Sequence, residues 1–207
     1  MIPVKVLAVQ YLTAVTPEMS KALGTDAPCL GLLTTDSDDP TYIALDQATK
    51  DAQVTVSYGR SFYAGAANAS TPYAGEVIGI LAGPTPGAVR SGMESALSEL
   101  QRVGFEEVSG VPCLAHTVSR CGSFLSKEAG VPEGSAIAYL IAPPLESMVA
   151  MDAALKAADV KLCKLYTPPT QTNFGGGLLT GSQSACAAAC AAFRDAVAEV
   201  AANPRKN

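Results

Sequence analysis

Tryptophan is absent and histidine occurs once, at His116. A Ser-His-Asp or Cys-His centre needs an imidazole within reach of its nucleophile. His116 sits between Ala115 and Thr117 in an apparent strand, and nothing around it supplies that context. It reads as a partly buried strand residue, and no catalytic residue is expected. Charge is also scarce. Asp, Glu, Lys and Arg make up 16% of the 207 residues, against about 25% in an average soluble protein. Sparse charge suggests a surface partly covered by a partner. The 14 basic and 19 acidic residues leave a formal net charge of -5, with no basic stripe. Nucleic-acid binding needs clustered Lys and Arg for phosphate contacts, so no nucleic-acid partner is expected. No run of 18 apolar residues exists, so no membrane-crossing helix is expected. Met1-Ile2-Pro3-Val4-Lys5 lacks the regions of a signal peptide, which points to the cytoplasm.

Motif spacings are missing too. The cysteines at 29, 113, 121, 163, 186 and 190 contain no CxxC pair. Cys186 and Cys190 are four apart on one helical face, but no second pair stands at metal-ligand spacing. They read as small hydrophobes in a reducing compartment, with no metal and no cofactor. Gly175-Gly176-Gly177 is not followed by Lys-Ser or Lys-Thr, so it is no phosphate loop. Asp36-Ser37-Asp38-Asp39 opens like a calcium loop, yet the central Gly and closing Glu are not in place. Asp39 before Pro40 fits a helix cap followed by a first-turn proline, which leaves Asp38 available to a cation.

What the chain does contain is a repeat. Leu45-Asp46-Gln47-Ala48-Thr49-Lys50-Asp51-Ala52-Gln53-Val54 resembles Met151-Asp152-Ala153-Ala154-Leu155-Lys156-Ala157-Ala158-Asp159-Val160, at an offset of 106. The same offset sets Ser20-Lys21-Ala22-Leu23-Gly24 beside Ser126-Lys127-Glu128-Ala129-Gly130, and Leu30-Gly31-Leu32-Leu33 beside Ala136-Ile137-Ala138-Tyr139. Leu81-Ala82-Gly83 matches Leu179-Thr180-Gly181 at an offset of 98, so the first copy carries eight extra residues after Val54. Four matches in one order indicate a tandem duplication. The two units span 1–107 and 111–207, with a linker near Glu106 to Val111.

Each unit reads as mixed α/β. In the first, apolar runs and turn residues predict strand 4–12, helix 17–23, strand 29–35, helix 40–52, strands 54–60 and 76–82, and helix 85–102. The second repeats this plan: strand 113–119, helix 123–129 ended by Gly130, strand 136–142, and a helix from the Pro143-Pro144 break to Ala158. Strand 160–166, a Pro and Gly loop, strand 177–180 and an Ala-rich helix 183–202 complete it. Alanine favours the helix while burying little area, which suits close packing on a sheet or a neighbour. The stretch Gly59 to Gly75 is long and built of small residues, and it fits either a surface insertion or a mobile gate.

These units resemble the bacterial microcompartment shell domain. The resemblance rests on the helix Met148 to Ala158, on Asp152-x3-Lys156-x2-Asp159-Val160 and on the small-residue helix after Gly181-Ser182. Across the chain it extends to Asp36-Ser37-Asp38-Asp39 with Thr41-Tyr42-Ile43, to Tyr58-Gly59-Arg60-Ser61-Phe62-Tyr63-Ala64-Gly65-Ala66 and to Gly75-Glu76-Val77. Further on it includes Gly122-Ser123, Tyr139-Leu140-Ile141-Ala142-Pro143-Pro144-Leu145-Glu146, Pro168-Pro169 with Thr172-Asn173, and Leu179-Thr180-Gly181-Ser182-Gln183. The whole chain is similar to tandem-domain, trimer-forming shell proteins of ethanolamine-utilisation compartments.

The resemblance implies two circularly permuted shell domains per chain, each a ferredoxin-like α/β sandwich. It implies a homotrimer that tiles with other microcompartment shell proteins, a structural role without catalysis, and passage of small polar metabolites such as ethanolamine. The central pore loop and gate would then be Gly59, Arg60, Ser61, Phe62, Tyr63, Gly65, Asn68, Tyr73 and Gly75, with Glu76 beside it. A smaller pore between the domains of one subunit would use Asp38 and Glu146 to attract an amine. From the residues alone, Glu146 also fits a helix start, where an acidic side chain is favourable. The competing readings are a tile of another catabolic compartment, a trimeric small-molecule-binding regulator and a cytosolic enzyme built around His116.

Overall fold

The computed structural model describes residues 1–62 and 76–205. They form two compact units, one of residues 3–103 with 122–125, the other of residues 1–2, 104–121 and 126 onward.

The unit of residues 3–103 contains β1 (Val6–Leu12), α1 (Pro17–Ala22), β2 (Cys29–Thr35), α2 (Asp38–Asp51), β3 (Thr55–Phe62), β4 (Glu76–Gly83) and α3 (Pro86–Glu99). Its sheet is antiparallel, in the order β1-β2-β4-β3. The apolar run of β2 makes it a buried central strand, whereas β3 alternates toward solvent as an edge. Leu33, Leu45, Leu81, Val89 and Met93 join α2 and α3 to the sheet in one core. Thr85 caps α3 by accepting the Ala88 amide at 3.1 Å, and Pro86 fills the first helical position.

The other unit contains β5 (Glu106–Val108), β6 (Val111–Val118), α4 (Ser123–Ala129), β7 (Ala136–Ala142), α5 (Pro144–Ala157), β8 (Val160–Tyr166), β9 (Gly175–Gly181) and α6 (Gln183–Ala202), with the first turn of α4 counted in the unit above. Its strand order is β5-β6-β7-β9-β8. β7 is buried throughout, as its unbroken apolar sequence requires. The Ala-rich α6 packs on α5 and the sheet through Cys186, Ala189, Cys190, Phe193 and Val197.

The duplication is present in the topology. Without β5, the order β6-β7-β9-β8 repeats β1-β2-β4-β3. The repeat extends to an irregularity. The β3–β4 register shifts between Val56 and Tyr58, and the β8–β9 register shifts between Leu162 and Lys164, the same positions 106 residues later.

Three local expectations are corrected. Glu106 to Val111 is no plain linker: β5 pairs with β6 across a tight hairpin. Ser109 and Gly110 sit at φ 50° and 83°, the paired positive angles that a two-residue hairpin turn needs. α2 starts at Asp38 after Ser37, so Asp39 lies inside the first turn and is not the cap. β9 begins at Gly175, two residues earlier than expected. A side chain at Gly177 would meet the Met151 Cε at 3.0 Å and the Lys164 carbonyl closer still, so only glycine lets α5 and β8 come this near. His116 is half-buried on β6, opposite Tyr139 on β7.

Candidate functional site

The acidic run sits where β2 turns into α2, and it is buried rather than solvated. Local hydrogen bonds account for that burial. The Asp36 carboxylate accepts the Lys5 amide at 2.8 Å, tying the run to the start of β1. The hydroxyls of Thr35 and Thr41 lie 2.7 Å apart, and both are within reach of the Ser37 carbonyl. Asp38 accepts the Asp39 amide at 2.9 Å. Burial pushes the Asp38 carboxyl above its ordinary value, and hydrogen bonding from Ser61 offsets part of that push.

Tyr42 stands one helical turn beyond Asp38 on α2. Its hydroxyl is 2.6 Å from the Ser61 Oγ, near the end of β3. Burial raises the Tyr42 phenol well above its usual value, and the negative charge of Asp38 and Asp39 acts in the same direction. Asp38, Tyr42 and Ser61 therefore form one polar cluster: an acceptor carboxyl with two hydroxyls that can donate or accept. Such a set can hold a small cation that also carries a hydroxyl.

The neighbouring site residues of β3 face outward. Arg60 lies 5.8 Å from the Tyr58 ring centroid, and its guanidinium donates to the Gly59 carbonyl at 3.2 Å. Phe62 is exposed and pairs across the ladder with Glu76 on β4. A side chain at Gly59 would touch both the Tyr42 and Phe124 rings, at 3.4 Å each. Tyr63, Gly65, Asn68, Tyr73 and Gly75 lie outside the described residues.

Glu146 lies in the first turn of α5 and is half-buried. An acidic group there is favoured by the helix dipole. Asp38 holds a like place in the first turn of α2, the equivalent helix of the first repeat. Sequence reasoning placed Asp38 and Ser61 at different pores, and the structure brings them into one cluster. It omitted Tyr42. The available signal was the four-residue spacing from Asp38, which stacks the two on one helix face.

The six cysteines are free thiols. Burial pushes the Cys113 thiol up to about 12 and the Cys190 thiol up to about 11. Among the described residues, no three His, Cys, Asp or Glu side chains gather as a metal-holding group. No helix among them is long and apolar enough to cross a membrane.

Comparison with known proteins adds a family to this geometry. The BMC domain model matches residues 29–112, starting at β2, past β1 and α1. The microcompartment shell protein EutL of Clostridium perfringens is 58% identical over 205 residues, covering 96% of this chain and 94% of that protein. The crystal structure of ethanolamine utilization protein EutL from Leptotrichia buccalis superimposes with a TM-score of 0.93 at 54% identity, covering 100% of this chain and 98% of that one. The trimeric shell protein PduB shares the fold at a TM-score of 0.82 and 19% identity, covering 96% of this chain and 89% of that one. A buried acidic turn, a twice-repeated four-strand order and this identity over nearly the whole length agree, and the chain belongs to the EutL family of bacterial microcompartment shell proteins.

Proposed function

We propose that the chain forms a homotrimeric, pseudohexameric tile in the shell of an ethanolamine-utilisation microcompartment, where it passes small polar metabolites. The observation that carries this reading is the internal repeat. The strand order recurs, and the register irregularity and the Asp-Lys helix pair recur 106 residues apart, so three chains supply six similar sectors. A ring closed in this way leaves its rim for other shell proteins. The role is structural, with selectivity in place of catalysis.

The central passage is assigned to Gly59, Arg60, Ser61 and Phe62 at the end of β3, to Tyr63, Gly65, Asn68, Tyr73 and Gly75, and to Glu76 at the start of β4. Asp38 and Glu146 are assigned to attract an amine at a smaller pore. The Asp38 cluster supports this, since a protonated amino alcohol offers an ammonium to the carboxylate and a hydroxyl to Tyr42 or Ser61. A cation would also offset the cost of a buried carboxylate.

Titration calorimetry with ethanolamine on wild type, Asp38→Asn and Glu146→Gln tests the small pore. Both variants are expected to weaken binding by at least tenfold. Unchanged affinity in both would remove these residues from the amine path. Electron microscopy of the purified protein tests the tile, with flat hexagonal arrays as the supporting result.

A further inference from the structure

Both repeats carry a cation beside an aromatic ring at one place on the edge strand, with the two members exchanged. On β3, the Arg60 guanidinium lies 5.8 Å from the ring centroid of Tyr58. On β8, the residues 106 positions later are Lys164 and Tyr166, and the Lys164 ammonium lies 5.3 Å from the Tyr166 ring centroid. The ladders agree with this match. Tyr58 and Arg60 stand opposite Ile80 and Ile78 of β4, and Lys164 and Tyr166 stand opposite Leu178 and Gly176 of β9. Gly59 and Ser61 approach Tyr42 of α2, so the alternation of the strand puts Tyr58 and Arg60 on the other face of the sheet.

The second repeat fills its pair from within. Glu128 of α4 sets one carboxylate oxygen, Oε1, against both the Lys164 ammonium and the Tyr166 hydroxyl, the latter at 3.2 Å. The residue equivalent to Glu128 is Ala22, at the end of α1. The end of α1 lies over the same face as Tyr58 and Arg60, because Leu23, next to Ala22, packs in one cluster with Ile78 and Ile80. Alanine offers no acceptor. Among the described residues, Arg60 donates only to the carbonyl of its own neighbour Gly59. Arg60 is exposed and Tyr58 is 40% exposed, so the pair is open to solvent.

We propose that Tyr58 and Arg60 bind the carboxylate of a small solute, at the place that Glu128 occupies in the second repeat. A guanidinium presents parallel N–H donors that match a carboxylate, and the phenol adds a further donor. The ring beneath the guanidinium holds it in place. The proposal rests on the assignment of Arg60 to the central passage and names the solute class of that passage. Carboxylates are drawn there and amines at Asp38, so the two passages sort solutes by the sign of their charge.

NMR line broadening of isotope-labelled acetate at fixed ionic strength tests the site, with far-UV circular dichroism as the fold control. Arg60→Gln is expected to cut the excess broadening by about threefold or more, as loss of an exposed charge contact does. Ala22→Glu is expected to cut it too, because it supplies an internal carboxylate while leaving Arg60 in place. Glu128→Ala is expected to increase the broadening by opening the equivalent pair. Glu76 stands two residues along the ladder from the Arg60 pair, and Glu76→Gln is expected to strengthen binding by removing a competing charge. Equal broadening in wild type and Arg60→Gln, or no change in Ala22→Glu, would overturn the site. No gain in Glu128→Ala would break the equivalence on which it stands. Displacement of the label by inorganic phosphate more readily than by unlabelled acetate would overturn the carboxylate assignment. Sedimentation of the same samples separates this proposal from the tile reading. A monomeric wild type that still broadens acetate would remove the central passage and leave the site. A trimer that does not broaden acetate would remove the site and leave the passage.

Discussion

The Tyr42 hydroxyl lies 2.6 Å from the Ser61 Oγ, joining the first turns of α2 to the end of β3. The bond ties the helix that carries Asp38 to the end of the strand that precedes residue 63. Tyr42→Phe removes it while keeping the ring and its contact with Phe124, whose centroid is 5.9 Å away. The expected cost is about 1 kcal/mol of folding stability, the usual net value of one hydrogen bond. Urea unfolding measures it. Ethanolamine affinity should fall in the same variant if the hydroxyl belongs to the amine site.

How far the sequence alone reached can be judged from such residues. Strand and helix positions were legible because hydrophobic period and turn chemistry are local, and because the repeat showed each element twice. The Ser109-Gly110 hairpin was not legible, since its short strand β5 has no counterpart in the first repeat. The helix start at Asp38 was misplaced because Ser37, Asp38 and Asp39 are all competent caps by composition. The Tyr42–Ser61 bond spans 19 residues and depends on how β3 lies beside α2, which no local pattern encodes. Asp38 and Glu146 stood out through family resemblance, and only burial shows why Asp38 is costly to keep there.

Asp46 holds two buried backbone amides, Gly122 and Leu125. Asp46→Ala strands both, and each stranded buried donor costs about 1–3 kcal/mol. The expected loss is therefore about 3 kcal/mol or more. Asp46→Asn keeps one acceptor oxygen but turns an amide toward the other donor, so its expected loss is smaller. Chemical denaturation of both variants gives the order. Equal stability of Asp46→Ala and wild type would show that these bonds contribute nothing net.

Burial raises the thiols of Cys113 and Cys190 to about 12 and about 11, so almost no thiolate exists there at pH 8. Burial raises Cys163 too, but it is the one cysteine that is only half-buried. Iodoacetamide at pH 8 should modify Cys163 in the native protein and leave Cys113 and Cys190 intact, while denatured protein takes up label at all six. Mass spectrometry of the digested protein reads each site. Rapid native labelling at Cys113 would contradict its buried setting.

Asp38 makes stability depend on pH in a definite direction. Its folded-state pKa lies above 3.8 because burial disfavours the charged form. Between 3.8 and that raised value the native state binds more protons than the unfolded chain. The group's contribution is thus fully present below 3.8 and is lost as pH rises through the folded value. Asp38→Asn mimics the neutral form and still offers an oxygen to the Asp39 amide. The variant and wild type should therefore match in thermal midpoint near pH 3.5, and the variant should become the more stable of the two as pH rises toward 8. A variant less stable than wild type at pH 8 would mean that the ionised carboxylate is stabilised by a cationic partner strong enough to outweigh its desolvation. Repeating the scan with saturating ethanolamine separates these cases, because a bound amine should shift the wild-type midpoint upward and leave the Asn variant nearly unmoved.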